Sequence, residues 1–253
     1  MIVAAHQPHY MPWLGYLDKV AKADVFVVMD DLQFEAQNFQ NRQRLKLCTG
    51  AGWLTVPVHR GSQSDRIVDK RIDSCRNQRQ HWQHRHWRTI VTHYGSARYF
   101  ADYAPELEEV YTRPWSSLFE LDLHMLELAM RWFEIKTPLV KSSELHLQGQ
   151  KTDRLIDMCK KLGARCYLTG SGGSQGYLDA EKIGRSGIGV VWQVFQHPRY
   201  DQRYPNAGFA SHLGFVDLVL NHGSASRDIL FDHAHPIIVH EDIQPHWATQ
   251  EAA

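Results

Sequence analysis

Ile2-Val-Ala-Ala-His6-Gln7-Pro8-His9, then Trp13-Leu14-Gly15-Tyr16-Leu17-Asp18-Lys19-Val20-Ala21, then Val25-Phe-Val-Val-Met29, is the stretch on which the fold turns. Residues 2–5 are a short apolar run, as a strand buried on both faces requires. Pro8 and Pro12 then force a turn. Leu14, Leu17 and Ala21 recur at helical spacing, so residues 13–21 read as a helix with one apolar face. Ala23-Asp24 ends it. Residues 25–29 carry the strongest strand signal in the chain and are closed by Asp30-Asp31. Strand, helix and strand within about 30 residues make a βαβ unit, with parallel strands and a right-handed crossover. The fold class expected is α/β: a Rossmann-like parallel sheet with a helical insertion or cap.

Residues 38–60 read as loop and hairpin, with Trp53-Leu-Thr-Val-Pro-Val58 as a strand. From 77 to 111 the chain turns basic, His-rich and aromatic, and reads as two helices broken near Gly95. Leu118, Leu121, Met125, Leu128 and Trp132 mark the buried side of a long amphipathic helix over 115–134. A second βαβ-like passage spans 152–194. It holds a helix over 153–162 closed by Gly163, a strand at 166–169, a glycine-rich turn at 170–176 and a strand at 190–195. A loop covers 197–209, and a last helix begins at Val216 and ends near Gly223. The organisation expected is one α/β domain over 1–230, with 77–135 as its helical insertion or cap, and a loose tail at 231–253.

Composition bounds the function. Among 253 residues, Lys+Arg and Asp+Glu both total 28, so the formal net charge is zero. That balance argues against a DNA-coating or membrane-surface protein, which carries a basic excess. No apolar run approaches the roughly 18 residues of a membrane span. The opening Met1-Ile-Val-Ala-Ala-His6 has no basic leader, so no signal peptide is expected. Cys48, Cys75, Cys159 and Cys166 are scattered without a C-x-x-C pair and read as free thiols of a reducing, cytoplasmic protein.

The first chemical motif is His6-x-x-His9, placed after a strand and before a helix. At a helix N-terminus, backbone N–H groups and the dipole already favour an anion. Two imidazoles there suit the charge that develops on a phosphate during transfer. Two His without a third ligand make no zinc site. Arg42, Arg44 and Lys46 form a cationic strip beside Asn41, and Arg forks match phosphate oxygens. The turn at 170–176 follows a strand as a phosphate cradle would, but is neither a complete G-x-G-x-x-G nor a Walker A motif. His81, His84 and His86 follow Cys75, but their spacing reads as a solvated basic helix rather than a metal site.

Residues 2–19 and 23–31 together strongly resemble the WbqC-like family. The likeness continues through Asn41-Arg42-x-Arg44-x-Lys46, Trp53-Leu-Thr-Val-Pro57, Tyr167-Leu-Thr-Gly-Ser171, Tyr177-Leu-Asp179, Phe195-x-His197-Pro198-x-Tyr200 and Asp217-Leu-x-Leu-Asn-x-Gly223. It covers roughly residues 1–230. The resemblance implies work alongside surface-polysaccharide genes, notably those making amino sugars that carry aminoacyl groups. A more distant likeness is to pantothenate synthetase, in the order His6-x-x-His9, 14–22, Ala23-Asp-Val-Phe-Val-Val, Leu32-Gln33-Phe34. That enzyme has a Rossmann-like nucleotidyltransferase fold and joins a carboxylate to an amine through an acyl-adenylate. The likeness departs at Pro8, where that superfamily has Gly, because proline offers no N–H and excludes positive φ.

These resemblances imply an amide-forming transferase or ligase that joins an amino acid or other acyl donor to a nucleotide-linked amino sugar or a similar small amine. His6 and His9 would stabilise phosphate charge, and Asp30 or Asp31 would orient the amine. Gln7, Tyr10, Trp13, Asn41, Arg42, Arg44, Lys46, Ser171, His197 and Tyr200 are the expected substrate and phosphate contacts. ATP with Mg is the cofactor of the adenylate version. An aminoacyl-tRNA or a carrier-protein thioester is the activated donor otherwise. Nucleotidyl transfer and a non-catalytic nucleotide- or sugar-binding role are the rival readings.

Overall fold

The computed structural model describes residues 1–62, 64–74, 81–170, 178–232 and 237–239. β1 (Ile2–His6), α1 (Leu14–Ala21) and β2 (Val25–Val28) form the expected βαβ unit, with β1 and β2 parallel and Val3 opposite Val25. On its other side β1 pairs with β6 (Cys166–Gly170), also in parallel. The main sheet has six strands in the order β5-β2-β1-β6-β7-β8. β5 is Leu139–Lys141, β7 is Gly189–Gln193 and β8 is Ile237–Val239. The first five of that order run parallel, and β8 is antiparallel to β7. Apart from this sheet, β3 (Arg42–Leu47) and β4 (Gly50–Thr55) make an antiparallel hairpin turned at Gly50, where φ is +117° and a glycine is needed.

Strand alternation divides the core into two layers. Ala4, Phe26, Val28, Leu168 and Val191 face one hydrophobic cluster. It is covered by α1 and by α2 (Trp82–Tyr94), α3 (Phe100–Thr112), α4 (Leu118–Trp132) and α7 (Val216–His222). Val3, Ala5, Val27, Tyr167 and Val190 face the other, covered by α5 (Lys151–Lys161) and α6 (Ala180–Arg185). Each fully buried Leu, Val or Phe in these layers contributes roughly 1.5–3 kcal/mol. The helical segment α2–α4 thus closes over one face of the sheet. Among the described residues no helix is long and apolar enough to cross a membrane.

Several local expectations need correction. The hairpin strand expected at 53–58 is Gly50–Thr55, and Pro57 lies beyond it. β5 was not foreseen, since three residues carry no periodicity. A further helix, α8 (Ser226–Phe231), follows α7, and Ile237–Val239 adds a strand to the segment expected to be a loose tail. The basic helix is not solvated all round: His86 is fully buried, within hydrogen-bond distance of Tyr10 Oη at 2.9 Å and Thr55 O at 3.2 Å. Cys48 is exposed and free, and Cys159 and Cys166 are buried and free. Cys75 and residues 171–177, which include Ser171 and most of the glycine-rich turn, lie outside the described residues.

The largest correction concerns the acidic pair closing β2. Asp30 is fully buried and accepts from Ser142 Oγ (3.1 Å), Ser143 N (2.9 Å) and Ser143 Oγ (2.6 Å). Asp31 pairs with Arg154 of α5 and accepts from Ser142 Oγ. Both carboxylates are occupied in tying β2 to the segment after β5 and to α5, so neither is placed to orient an amine. Asp30→Ala should therefore lower stability by about 2–4 kcal/mol, because it strands the backbone N–H and the hydroxyl of Ser143, while Ser142 Oγ keeps Asp31 as its acceptor. Urea unfolding measures this, and an unchanged midpoint would return Asp30 to the catalytic candidates.

Candidate functional site

The strand order reverses its direction of growth at β1: β2 and β5 lie to one side, β6 and β7 to the other. In an open parallel sheet such a switch point leaves a crevice at the carboxyl ends of the strands, where ligands bind. A cleft of about 430 Å³ lies there, lined by His6 at the end of β1, Gly170 at the end of β6 and Gln193 at the end of β7. His9, Tyr16 and Lys19 complete its floor.

The loop from β1 to α1 is held from several directions. Tyr10 N donates to Phe39 O at 3.0 Å, Gln43 Nε2 to Met11 O at 3.0 Å, and Phe215 N to Pro12 O at 3.0 Å. Met11 sits in the left-handed region at φ 46°, a strain these anchors must offset. Tyr10 Oη is buried between His86 Nδ1 and Tyr111 Oη, at 2.9 and 2.8 Å. Tyr10 is thus an anchor of the loop, not a contact in the cleft, and its expected role is corrected accordingly.

His6 and His9 meet edge to face with ring centroids 4.8 Å apart, and Tyr16 lies 5.1 and 5.0 Å from them. His6 Nδ1 is 3.0 Å from Gln7 O. A carbonyl can only accept, so Nδ1 carries the proton and Nε2 is left as the acceptor of the ring. Burial is the main cause that pushes His6 down to about 4, with the charge of Lys19 adding to it. Burial also holds His9 well below its ordinary value, helped by His6 and Lys19. Both imidazoles are therefore neutral at pH 7. His9 Nδ1 is buried and without a hydrogen-bond partner, a state that a polar ligand atom would relieve.

Lys19 carries the floor's positive charge. It is 5% exposed, its Nζ donates to Ala5 O at 2.9 Å, and burial lowers its pKa to about 8. Lys19 was not among the expected site residues, since lysines are rarely buried. In fact every residue of α1 from Leu14 to Val20 is buried. The cause is tertiary: α1 packs in one hydrophobic layer with α2–α4 and α7, which covers the face a βαβ helix ordinarily keeps wet. Asp18, also buried, is matched by Lys22 at 2.8 Å and by Gln193 Nε2 at 2.6 Å. Among the described residues Lys19 has no such carboxylate. With the N-terminal turn of α1 also lining the cleft, the floor suits an anion.

Of the other predicted contacts, Gln7 and Trp13 line the cleft. Gln7 Oε1 accepts from Gln40 Nε2 at 2.9 Å, and the Trp13 ring lies 5.4 Å from Phe195 and 4.8 Å from His212. Phe39, Phe195 and His212, which also line it, were missed. The cationic strip does not enter. Lys46 is fully buried and donates to Ala207 O and Gly208 O, so it is a structural cation. Arg42 lies over the Trp53 ring at 4.2 Å, and Arg44 donates to Ser211 O at 3.2 Å. Asn41 is buried and donates to Val56 O at 2.9 Å.

His197 donates from Nδ1 to Pro198 O at 2.8 Å and lies 5.5 Å from His212, one residue layer behind the cleft wall. Tyr200 donates to Asp217 Oδ2 at 2.9 Å, in the core rather than the cleft. Among the described lining residues there is no Asp or Glu. Among the described residues no group of three His, Cys, Asp or Glu gathers as metal ligands.

The chain is 31% identical, over 231 residues, to the uncharacterized protein Rv1507c of Mycobacterium tuberculosis, covering 90% of this chain and 96% of that one. No solved structure matches it. The model of the WbqC-like protein family matches residues 7–229, a span that takes in His9, Lys19, Phe39 and Gln193 of the cleft, and the chain belongs to that family.

Proposed function

We propose that the cleft is the active site of an amide-forming transferase or ligase whose amine is a nucleotide-linked amino sugar or a similar small amine. The observation that carries this reading is the meeting of His6, His9 and Lys19 at the switch point, with the amino end of α1 beside them. Lys19 supplies charge for a phosphate or a developing oxyanion. His6 Nε2, freed by the bond from Nδ1 to Gln7 O, is the acceptor that a substrate amine needs. It takes over the role expected of Asp30 and Asp31. The aromatic wall of Trp13, Phe39 and Phe195 excludes water from the acyl group during transfer.

ATP fits the floor on the phosphate side, where Lys19 and the amino end of α1 would hold it. When bound, it would supply activation of the carboxylate as an adenylate. Because the described lining has no carboxylate, Mg would arrive on phosphate oxygens. An aminoacyl-tRNA or carrier-protein thioester would reach the same amine already activated. The missing carboxylate also favours a second reading, a non-catalytic binding protein that keeps the nucleotide cleft.

The test is to incubate the protein with ATP, a panel of amino acids and a nucleotide-linked amino sugar, with products read by mass spectrometry. An amide product is expected, with pyrophosphate release dependent on the amino acid if the adenylate version holds. His6→Ala should lower the rate by about 10²–10³ while the protein stays folded. An aminoacyl-tRNA and a carrier-protein thioester are offered in parallel, and no amide from any of the three donors would leave the binding reading. A separate measurement probes the floor. Sulfate, whose charge is constant over the range, should bind evenly between pH 6.5 and 7.5 and weaken as pH rises through about 8, where Lys19 loses its proton. Lys19→Met should bind weakly at every pH. A flat wild-type profile would remove Lys19 from the site.

A further inference from the structure

Beside the cleft, outside its lining but next to Phe39, stands a patch that the floor does not use. Trp53 of β4 is 45% exposed, which is unusual for so large an apolar ring. Arg44 lies opposite it across the hairpin ladder, and the guanidinium groups of Arg42 and Arg44 sit 4.2 and 5.6 Å from the ring centroid. Arg42 Nε and Arg44 Nε are buried without hydrogen-bond partners. Among the described residues neither arginine makes an ion pair with a carboxylate. Two positive charges are thus gathered beside an open aromatic face, and no carboxylate answers them.

The patch is continuous with the cleft on two sides. Phe39, in the cleft wall, lies 5.8 Å from Trp53 and 5.4 Å from His9, so a row of rings leads from the patch to the floor. On the other side Arg44 is bonded to Ser211, whose neighbour His212 lines the cleft. An aromatic face suits a base, which stacks without regard to its hydrogen-bonding edge. Guanidinium groups stacked on a ring keep their in-plane donors, the geometry that grips phosphate oxygens two at a time. Two cations are too few for a long polyanion, which needs a stripe of them.

We propose that Trp53, Arg42 and Arg44 form an outer subsite for a nucleoside diphosphate group, with the base on Trp53 and the diphosphate on the arginines. The group linked to it then runs past Phe39 to His6 and Lys19. This rests on the amide-forming reading above and deepens it: the amine is carried in on a nucleoside diphosphate, held apart from the anion on the floor.

The experiment is calorimetric titration of UDP and of sulfate into wild type, Trp53→Ala, Arg42→Ala and Lys19→Met, each checked for folding by circular dichroism. UDP affinity should fall about tenfold in Trp53→Ala and in Arg42→Ala, and stay within about twofold in Lys19→Met. Sulfate should show the reverse pattern. Trp53→Phe, which keeps a ring, should recover much of the UDP affinity. UDP binding that is absent in wild type, unchanged in both patch variants, or lost equally in Lys19→Met overturns the outer subsite. So does tighter binding of a short single-stranded RNA that the same variants abolish. Loss of the sulfate pattern alone would sink the floor and leave the patch standing.

Discussion

Everything at the site depends on the backbone between His6 and Trp13 being held in one path. This loop contains two prolines and a left-handed Met11, so it can form neither strand nor helix and has few hydrogen bonds of its own. Its partners come from far along the chain: Phe39 O, the Gln43 side chain, Phe215 N and the His86–Tyr111 pair. The hairpin, the helical layer and the segment before α7 all converge on it. Pro8, which looked like a departure from a nucleotide-binding loop, is compatible with this arrangement. The loop is shaped by contacts from outside, so it does not need glycine's freedom.

A second buried polar cluster fixes the outer wall. Asp217 accepts from Tyr94 Oη at 2.6 Å and Tyr200 Oη at 2.9 Å, and burial pushes it up to about 6 against those donors and nearby Lys46. Tyr94 in turn accepts from Lys46 N at 2.8 Å, and Lys46 Nζ reaches the carbonyls at 207 and 208. One network therefore joins the hairpin, α2, α7 and the loop that carries His212. Residues chosen for their phosphate chemistry, Lys46 and Tyr200, turn out to hold the wall in place. Arg42 and Arg44, four and two residues before Lys46 on the same strand face, are only half-buried, beyond the end of the strand that meets the carbonyls at 207 and 208.

The parallel core could be read from the sequence because its signal is local. Residues 2–5 and 25–29 are continuous apolar runs, and the 14, 17, 21 spacing falls within one helix. Strand, helix and strand at that separation leave one chirality and one direction. From there His6 had to stand at the carboxyl end of β1, and His9 a few residues on had to stay near it. The family likeness could be read for the same reason, since its motifs are contiguous.

What the tertiary structure alone decided is which charged side chains are spent on the fold. Asp30, Asp31 and Lys46 look in sequence like free carboxylates and a free cation; their partners Ser142, Ser143, Arg154 and Gly208 lie more than a hundred residues away. Lys19 shows the converse. It sits on an amphipathic helix and becomes the buried charge of the floor, because α1 is enclosed within the helical layer on its own face of the sheet. Desolvation and pairing depend on neighbours in space, and only the folded chain sets those; periodicity and turn chemistry depend on neighbours in sequence, which is why the sheet could be read and the occupancy of its charges could not.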